Sequence, residues 1–350
     1  MIQDIRLQNF RSYEDASFEF GEGVNIIVGP NGSGKTNLLE ALLVLCKGKS
    51  YRVKDTELIL QDAPWLRLES ASASSAERVC KIIRTPPSKT FEIQDKKISR
   101  LTTEYKLSTV LFEPNHLQLL HGQPEERRTY LDDILDTVSP GFESFRRNYK
   151  RTLQQRNALL KRPTKPTTQE LFPRNLRLSE LGAVIARARS EYIVASNETF
   201  GEFYKKLSST TQEVSITYQP TFGIDSYETN FLHALEKRLS TDIERGFTTV
   251  GPHREDFSVV IHQAPAYEVA SRGETRTMVL ALKILELESI VNQTGKTPIL
   301  LLDDVFSELD GARRRALTTY LQRYQTFLTT TDADVVVKHF TDCTILPLGS

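Results

Sequence analysis

Residues 24–36 read "VNIIVGPNGSGKT", and residues 37–46 continue "NLLEALLVLC". The apolar run 24–28 predicts a short buried strand, and the stretch after Thr36 predicts an apolar helix. Between them Gly29, Gly34, Lys35 and Thr36 satisfy GxxxxGK[ST] in full, in the strand–loop–helix context that the pattern requires. Such a turn aims backbone N–H groups and the positive end of a helix at one point, which suits a phosphate. Gly29, Pro30, Asn31, Gly32, Ser33, Gly34, Lys35 and Thr36 therefore form a candidate cradle for ATP. Lys35 would reach the β- and γ-phosphates, and the Thr36 hydroxyl would ligate Mg²⁺.

Two later stretches belong with this loop. "ILLLDDVFSELD" at 299–310 predicts a buried strand with Asp303 and Asp304 at its carboxyl end, where open α/β sheets bind ligands. Asp303 would hold the metal, and Asp304 would orient or deprotonate an attacking water. "EVASRGETRT" at 268–277 places Ser271 ahead of a helical pattern that includes Met278, Leu280, Ala281, Ile284, Leu285 and Leu287. Taken alone it fits a plain N-cap as well as an anion-binding helix start.

Further out, 1–28 reads as strands, and 64–98 as an antiparallel meander broken by "TPPS" at 85–88. Residues 108–114 add one more strand. From 124 the character is helical, through "PEERRTYLDDILDTV", 140–162 and about 175–207, with "RPTKPTTQ" as a break. Strand signals return at 248–261, and the last hundred residues alternate strand and helix. The pattern predicts an α/β body built from 1–123 and 246–350, with 124–245 inserted as a mostly helical lobe.

Composition sets bounds. The chain has 350 residues, 39% hydrophobic and 26% charged, with zero net charge. It is long enough for two cores, and any basic surface must be local. Three cysteines without a CxxC pattern point to a reducing compartment and no disulfide framework. Six histidines show no zinc-type spacing. "MIQDIRLQNF" lacks an apolar signal core, and runs such as "ILLL" are too short to span a bilayer. The expectation is a cytoplasmic protein with no membrane association.

The order of phosphate loop, Ser-Arg-Gly-Glu helix start, aspartate strand and "SELD" resembles the ABC-type ATPases. "LQNFRSYEDASFEFGEG" ahead of the loop is similar to their SMC-like branch. "VLFEPNHLQLLHGQPEERRTYLDDIL" at 110–135, "YKRTLQQRNALLK" at 149–161 and "VGPHREDFSV" at 250–259 resemble the RecF family of bacterial replication and recombination-repair ATPases. "SRGETRT", "LLLDDVFSELD" and "LTTTD" complete that match, in order, over nearly the whole chain.

The resemblance implies an α/β fold, an ABC-type (P-loop) ATPase head assembled from both chain ends. It implies an ATP-dependent homodimer in which Ser271 and Gly273 contact the γ-phosphate on the other subunit. Glu274 and Asp310 then join Asp304 in the candidate catalytic set. Arg11 would lie near the phosphates or the base, although a surface arginine at a strand end fits its position too. The partners implied are gapped double-stranded DNA and RecR, with RecO and RecA engaged indirectly in RecA loading. True SMC proteins insert hundreds of coiled-coil residues. Here the largest helical window is about 35 residues, or roughly 50 Å, so a long arm is excluded.

Departures from transporter-type ABC ATPases also stand out. The acid after the metal aspartate is Asp304 instead of Glu, and Thr329-Thr330-Thr331-Asp332 contains no switch histidine. Only Glu113, Asn115 and Gln118 lie near the usual Q-loop place. Slow hydrolysis, more timer than motor, is the expectation. For DNA, Arg146, Arg147, Lys150 and Arg151 fall near one helix face, which fits duplex phosphates or simply a solvated surface. His253 and Arg254 fit either ATP–DNA coupling or a fixed turn. Among competing readings, a transporter subunit would need a membrane partner, a Q-loop and a switch histidine, an SMC-like nuclease would need further acidic or histidine metal clusters, and a small-molecule kinase does not need "SRGE" ahead of "LLLDD" and "SELD".

Overall fold

The computed structural model describes residues 1–70, 77–340 and 342–349. The chain falls into two compact units, 1–116 with 286–350, and 117–285.

The first unit opens with β1 (Asp4–Phe10), β2 (Tyr13–Glu19), β3 (Val24–Val28), α1 (Lys35–Lys47), β4 (Trp65–Ser70), β5 (Arg78–Ile83), β6 (Ser88–Ile93), β7 (Lys96–Ile98) and β8 (Thr109–Phe112). The second unit follows with α2 (Pro124–Val138), α3 (Phe142–Leu160), α4 (Thr168–Ser208), β9 (Val214–Gln219), α5 (Tyr227–Lys237), α6 (Leu239–Arg245), β10 (Asp256–Ile261), β11 (Ala264–Pro265) and α7 (Ala266–Val269). α8 (Arg272–Thr294) carries the chain across the unit border. The first unit closes with β12 (Ile299–Leu302), α9 (Gly311–Leu321), β13 (Thr326–Thr330), α10 (Ala333–Val337) and β14 (Cys343–Pro347).

Within the first unit a parallel sheet runs in the order β14-β3-β13-β12-β8. Strands from both chain ends are interleaved in it, so neither end forms the sheet alone. Its inner strands are apolar or threonine except for Asn25 of β3, which is itself buried and hydrogen-bonded. An antiparallel sheet, β2-β1-β4-β5-β6-β7, completes the unit. α1 is apolar on nearly every side because it packs in one core with both sheets. Leu38, Leu42 and Leu45 share that core with Ile5, Leu7 and Leu68 of the antiparallel sheet and with Ile27, Leu301 and Phe327 of the parallel one.

The second unit stacks α3 and α5 along α4 and adds a small sheet, β11-β10-β9. The sequence assigns 246 onward to the α/β body, but the structure keeps the chain with the helical unit through Leu285. The reason is strand pairing: β10 lies antiparallel to β9 from Asp256↔Gln219 to Ile261↔Val214. Side-chain bonds add to it: Arg127 on α2 ion-pairs with Asp256, and Arg189 on α4 donates to the Pro252 carbonyl. Only the second half of the strand read at 248–261 is a strand.

α4 has 41 residues, more than the window read from sequence. Thr167 and Glu170 form a reciprocal capping box directly after the proline-rich break, and Pro173 lies inside the helix. At 1.5 Å per residue α4 is about 60 Å long. Buried Leu171, Leu178, Ile185, Ile193, Phe200 and Tyr204 run along its length, so it is packed within the unit and is no free arm. The end of the strand read at "WLRLESASA" falls at 71–73, outside the described residues.

Candidate nucleotide-binding site

The phosphate loop is shaped by two left-handed glycines, Gly32 at φ 84° and Gly34 at φ 95°. A Cβ on Gly34 would sit 2.6 Å from the Tyr13 hydroxyl, which donates to the Gly34 carbonyl at 3.1 Å. Both facts exclude larger residues there. Gly34 leaves the α1 N-terminus without a side-chain cap, so its first N–H groups are available to an anion. Lys35 folds back to donate to the carbonyls of Gly29 (2.7 Å) and Pro30 (2.8 Å). The Ser33 hydroxyl oxygen is shielded and has no hydrogen-bond partner among the described residues. An ammonium held by carbonyls, an unmatched hydroxyl and uncapped N–H groups are the groups a phosphate would satisfy, so these residues fit one.

The carboxyl ends of β12 and β13 meet this loop. Asp303 Oδ1 accepts from the Thr36 hydroxyl (3.0 Å) and from the Thr329 hydroxyl (2.8 Å). The Asp303 N–H donates to the Phe112 carbonyl on β8 at 2.9 Å. Asp304 adopts φ 50°, and its N–H donates to Thr329 Oγ1 at 2.9 Å. Thr329, read from sequence only as the absence of a histidine, therefore fixes both aspartates. One carboxylate and one hydroxyl oxygen side by side suit Mg²⁺, which keeps waters and phosphate oxygens for its remaining positions.

Two candidates take other places. Arg11, at φ 54°, turns onto α1, where Nε and Nη2 reach the Glu40 carboxylate at 2.8 and 3.1 Å. Its Nη1 also donates to the Glu57 carbonyl at 3.3 Å. Glu40 is fully buried and needs such a partner, so Arg11 is held on α1 and is no loose surface residue. Asp310 caps α9, accepting from the Arg313 N–H at 2.9 Å and pairing with its guanidinium. That N–H, with the Arg313 charge, holds its carboxyl below the usual range.

In the second unit, Ser271 and Glu274 form a capping box at the start of α8. The Ser271 N–H (2.8 Å) and hydroxyl (2.7 Å) both donate to Glu274 Oε2, and the Glu274 N–H returns to Ser271 Oγ at 3.3 Å. These bonds hold the Glu274 carboxyl below its ordinary range. Gly273 lies in the first turn of the same helix, and His262 of the β10–β11 turn contacts Glu274 at 3.3 Å. A phosphate contact would require the Ser271 hydroxyl to turn away from Glu274.

α3 has two unlike faces. Arg147, Lys150 and Arg151 are exposed, whereas Arg146 pairs with Asp133 and Asp136 of α2. Arg146 therefore leaves the candidate DNA set: its charge is already matched within the fold. The inner face carries Arg156, fully buried, bonded to Asp242 (2.8 Å), Thr248 (2.7 Å) and Asn175 (2.8 Å). Tyr149, also on that face, meets His253 Nδ1 at 2.7 Å. His253 Nε2 bonds the Thr248 carbonyl at 3.0 Å, and the Arg254 guanidinium lies over the Phe247 ring at 4.8 Å. Both residues of "GPHRED" thus fix a turn.

Known proteins agree with this geometry. A family model described as the RecF/RecN/SMC N-terminal domain matches residues 1–343. A protein named DNA replication and repair protein RecF from Natranaerobius thermophilus is 34% identical over 95% of this chain and 92% of its own. The chain belongs to the RecF family. A second such relative, from Bacillus cytotoxicus, is 34% identical with the same coverage. A solved structure of the recombination mediator protein RecF-ATPrS in the RecFOR pathway matches with a TM-score of 0.88 and 31% identity, over 99% of this chain and 96% of that one. An Smc head bound to the C-winged helix domain of ScpA matches at TM-score 0.58 and 16% identity, over 98% and 93%, a likeness of fold. The fold of this RecF-family chain is that of an ABC-type ATPase. Among the described residues no helix is long and apolar enough to cross a membrane.

Several groups that organise this RecF-family chain are not legible in its sequence. Glu255 is buried and receives the Tyr227 hydroxyl (2.5 Å), the Tyr218 hydroxyl and the Thr221 N–H (2.8 Å). Arg189 pairs with Asp132 at 2.9 Å. Of these Glu255 lies in a stretch the sequence singles out, the "HRED" run, but the partners are far away along the chain.

Proposed function

We propose that this RecF-family protein is an ATP-dependent DNA-binding protein of recombinational repair and replication. The Thr36–Asp303 hydrogen bond carries the reading, because it joins a complete phosphate loop to the aspartate strand at the mouth of the parallel sheet. Residues 29–36 would hold ATP, with Lys35 exchanging the Gly29 and Pro30 carbonyls for phosphate oxygens. Thr36 and Asp303 would hold Mg²⁺, which when bound draws charge from the γ-phosphate. Asp304, fixed through Thr329, would orient the attacking water. Its side chain is shorter than a glutamate's, which supports slow hydrolysis that times release.

Ser271, Gly273 and Glu274 would complete the site of a second copy, making an ATP-dependent homodimer, with Asp310 at its margin. The dimer would clamp gapped duplex DNA, using Arg147, Lys150 and Arg151, and act with RecR and RecO to help load RecA. Residues 1–116 with 286–350 would serve as the ATPase head and 117–285 as the DNA-facing lobe.

Fluorescence anisotropy of a labelled gapped duplex tests the reading. Asp304→Asn protein, which keeps the metal ligands, should bind more tightly with Mg²⁺-ATP than without, with a second-order dependence on protein. Equal, weak binding in both conditions would refute it.

A further inference from the structure

His262 and Gln263 form the two-residue turn between β10 and β11, and both lie in the left-handed region, at φ 55° and φ 62°. A hairpin turn of this kind favours Asn-Gly, because larger side chains are strained at positive φ. A fold that keeps histidine and glutamine there holds them against their own preference, and such strain gathers at working positions.

The contacts of the His262 ring show what the turn aims at. The Gln212 amide nitrogen lies on the ring edge, 2.8 Å from Nδ1 and 2.6 Å from Nε2, and Nε2 lies 3.3 Å from Glu274 Oε1. The amide N–H and the carboxylate are served together when Nδ1 accepts from Gln212 and Nε2 donates to Glu274. Glu274 is then gripped at both oxygens, Oε1 by His262 and Oε2 by the N–H and hydroxyl of Ser271. The division matters. When the Ser271 hydroxyl turns toward a phosphate, Oε2 keeps the Ser271 N–H and Oε1 keeps His262. The carboxylate stays parked, instead of swinging toward an anion that it would repel.

We propose that His262 is a positioning residue for the Ser271 end of α8, holding Glu274 so that the Ser271 hydroxyl can reach the γ-phosphate bound by a second copy. The inference rests on the two-copy ATP reading above and deepens it. His262 touches no reacting atom and acts through Glu274.

His262→Asn protein tests this, because asparagine tolerates positive φ and is too short to reach Glu274. The variant should unfold at the wild-type Tm or above it, while its ATP turnover falls about fivefold, the loss expected for one hydrogen bond. Mixing experiments then show which end of the chain carries the defect, once the turnover of His262→Asn homodimers is subtracted. With Lys35→Ala protein, the working site joins the phosphate loop of the His262→Asn chain to an intact Ser271 end. Its turnover should match that of a Lys35→Ala and Ser271→Arg mixture. With Ser271→Arg protein, the working site uses the Ser271 end of the His262→Asn chain, and turnover should be about fivefold lower. Equal turnover in the two mixtures would overturn the inference, since the defect would not travel with Ser271. Wild-type turnover by His262→Asn would overturn it too, as would a large fall in Tm, which would mean that the ring holds the fold. An inactive Lys35→Ala and Ser271→Arg mixture would instead overturn the two-copy reading, and the inference with it.

Discussion

His253 Nε2 donates to the Thr248 carbonyl, and Nδ1 meets the Tyr149 hydroxyl, which donates to it when the ring is neutral. Burial first, then the Arg254 and Arg128 charges, lower its pKa to about 4, outweighing the Thr248 bond. An unfolded histidine titrates near 6.5. Because the folded value is the lower one, the stability His253 contributes is fully present above about pH 6.5 and is lost as pH falls toward 4. Its size at pH 7 is up to about 3 kcal/mol. Denaturant unfolding from pH 7 to 4.5 should show a decline that is shallower in His253→Gln by the uptake of one proton, and parallel curves would contradict the assignment. The same scale explains what residue patterns conceal. GxxxxGK[ST] declares itself because its spacing is local, and the left-handed glycines confirm it. Arg11 and Thr329 could not be placed from sequence, since their partners, Glu40 and the two aspartates, are brought to them only by folding.

Among elements, α3 shows how a helix can be read on one face and misread on the other. Its basic residues look equivalent in sequence, yet Arg146 and Arg156 are consumed by α2 and by the Asp242–Thr248 cluster. Only Arg147, Lys150 and Arg151 form an exposed ridge. Replacing those three by glutamine should flatten the salt dependence of duplex binding, by up to about 0.9 in log–log slope for each phosphate no longer neutralised. Arg146→Gln should leave that slope intact and lower stability instead, because it uncovers acids on α2. An unchanged slope in the triple variant would remove α3 from the DNA surface. Elements with strong local signals were legible: β3, α1, β12 and the meander follow from apolar runs and period-two alternation. β9 and β14 were not: "VSITYQ" sits in a long helical stretch and "CTILP" lacks an apolar run, and each is placed by its pairing, with β10 and with β3. The start of α4 was missed because the prolines masked the Thr167–Glu170 capping box.

At the scale of the whole molecule, the phosphate loop and Ser271 belong to different compact units of one chain. Both chain ends were needed to predict the first unit, since the parallel sheet places β3, near the start, between β13 and β14, near the end. The unit border within α8 was hidden for the opposite reason, as one unbroken helix serves both units. The central claim is that a working ATP site takes its phosphate loop from one copy and its Ser271 from another. A complementation assay tests this directly. Lys35→Ala and Ser271→Arg proteins are each assayed for ATP hydrolysis, then mixed in equal amounts. Sites shared between copies predict that each variant alone is inactive while the mixture regains turnover, since each mixed dimer holds one intact loop facing one intact serine. A mixture no more active than the sum of its parts would contradict the account.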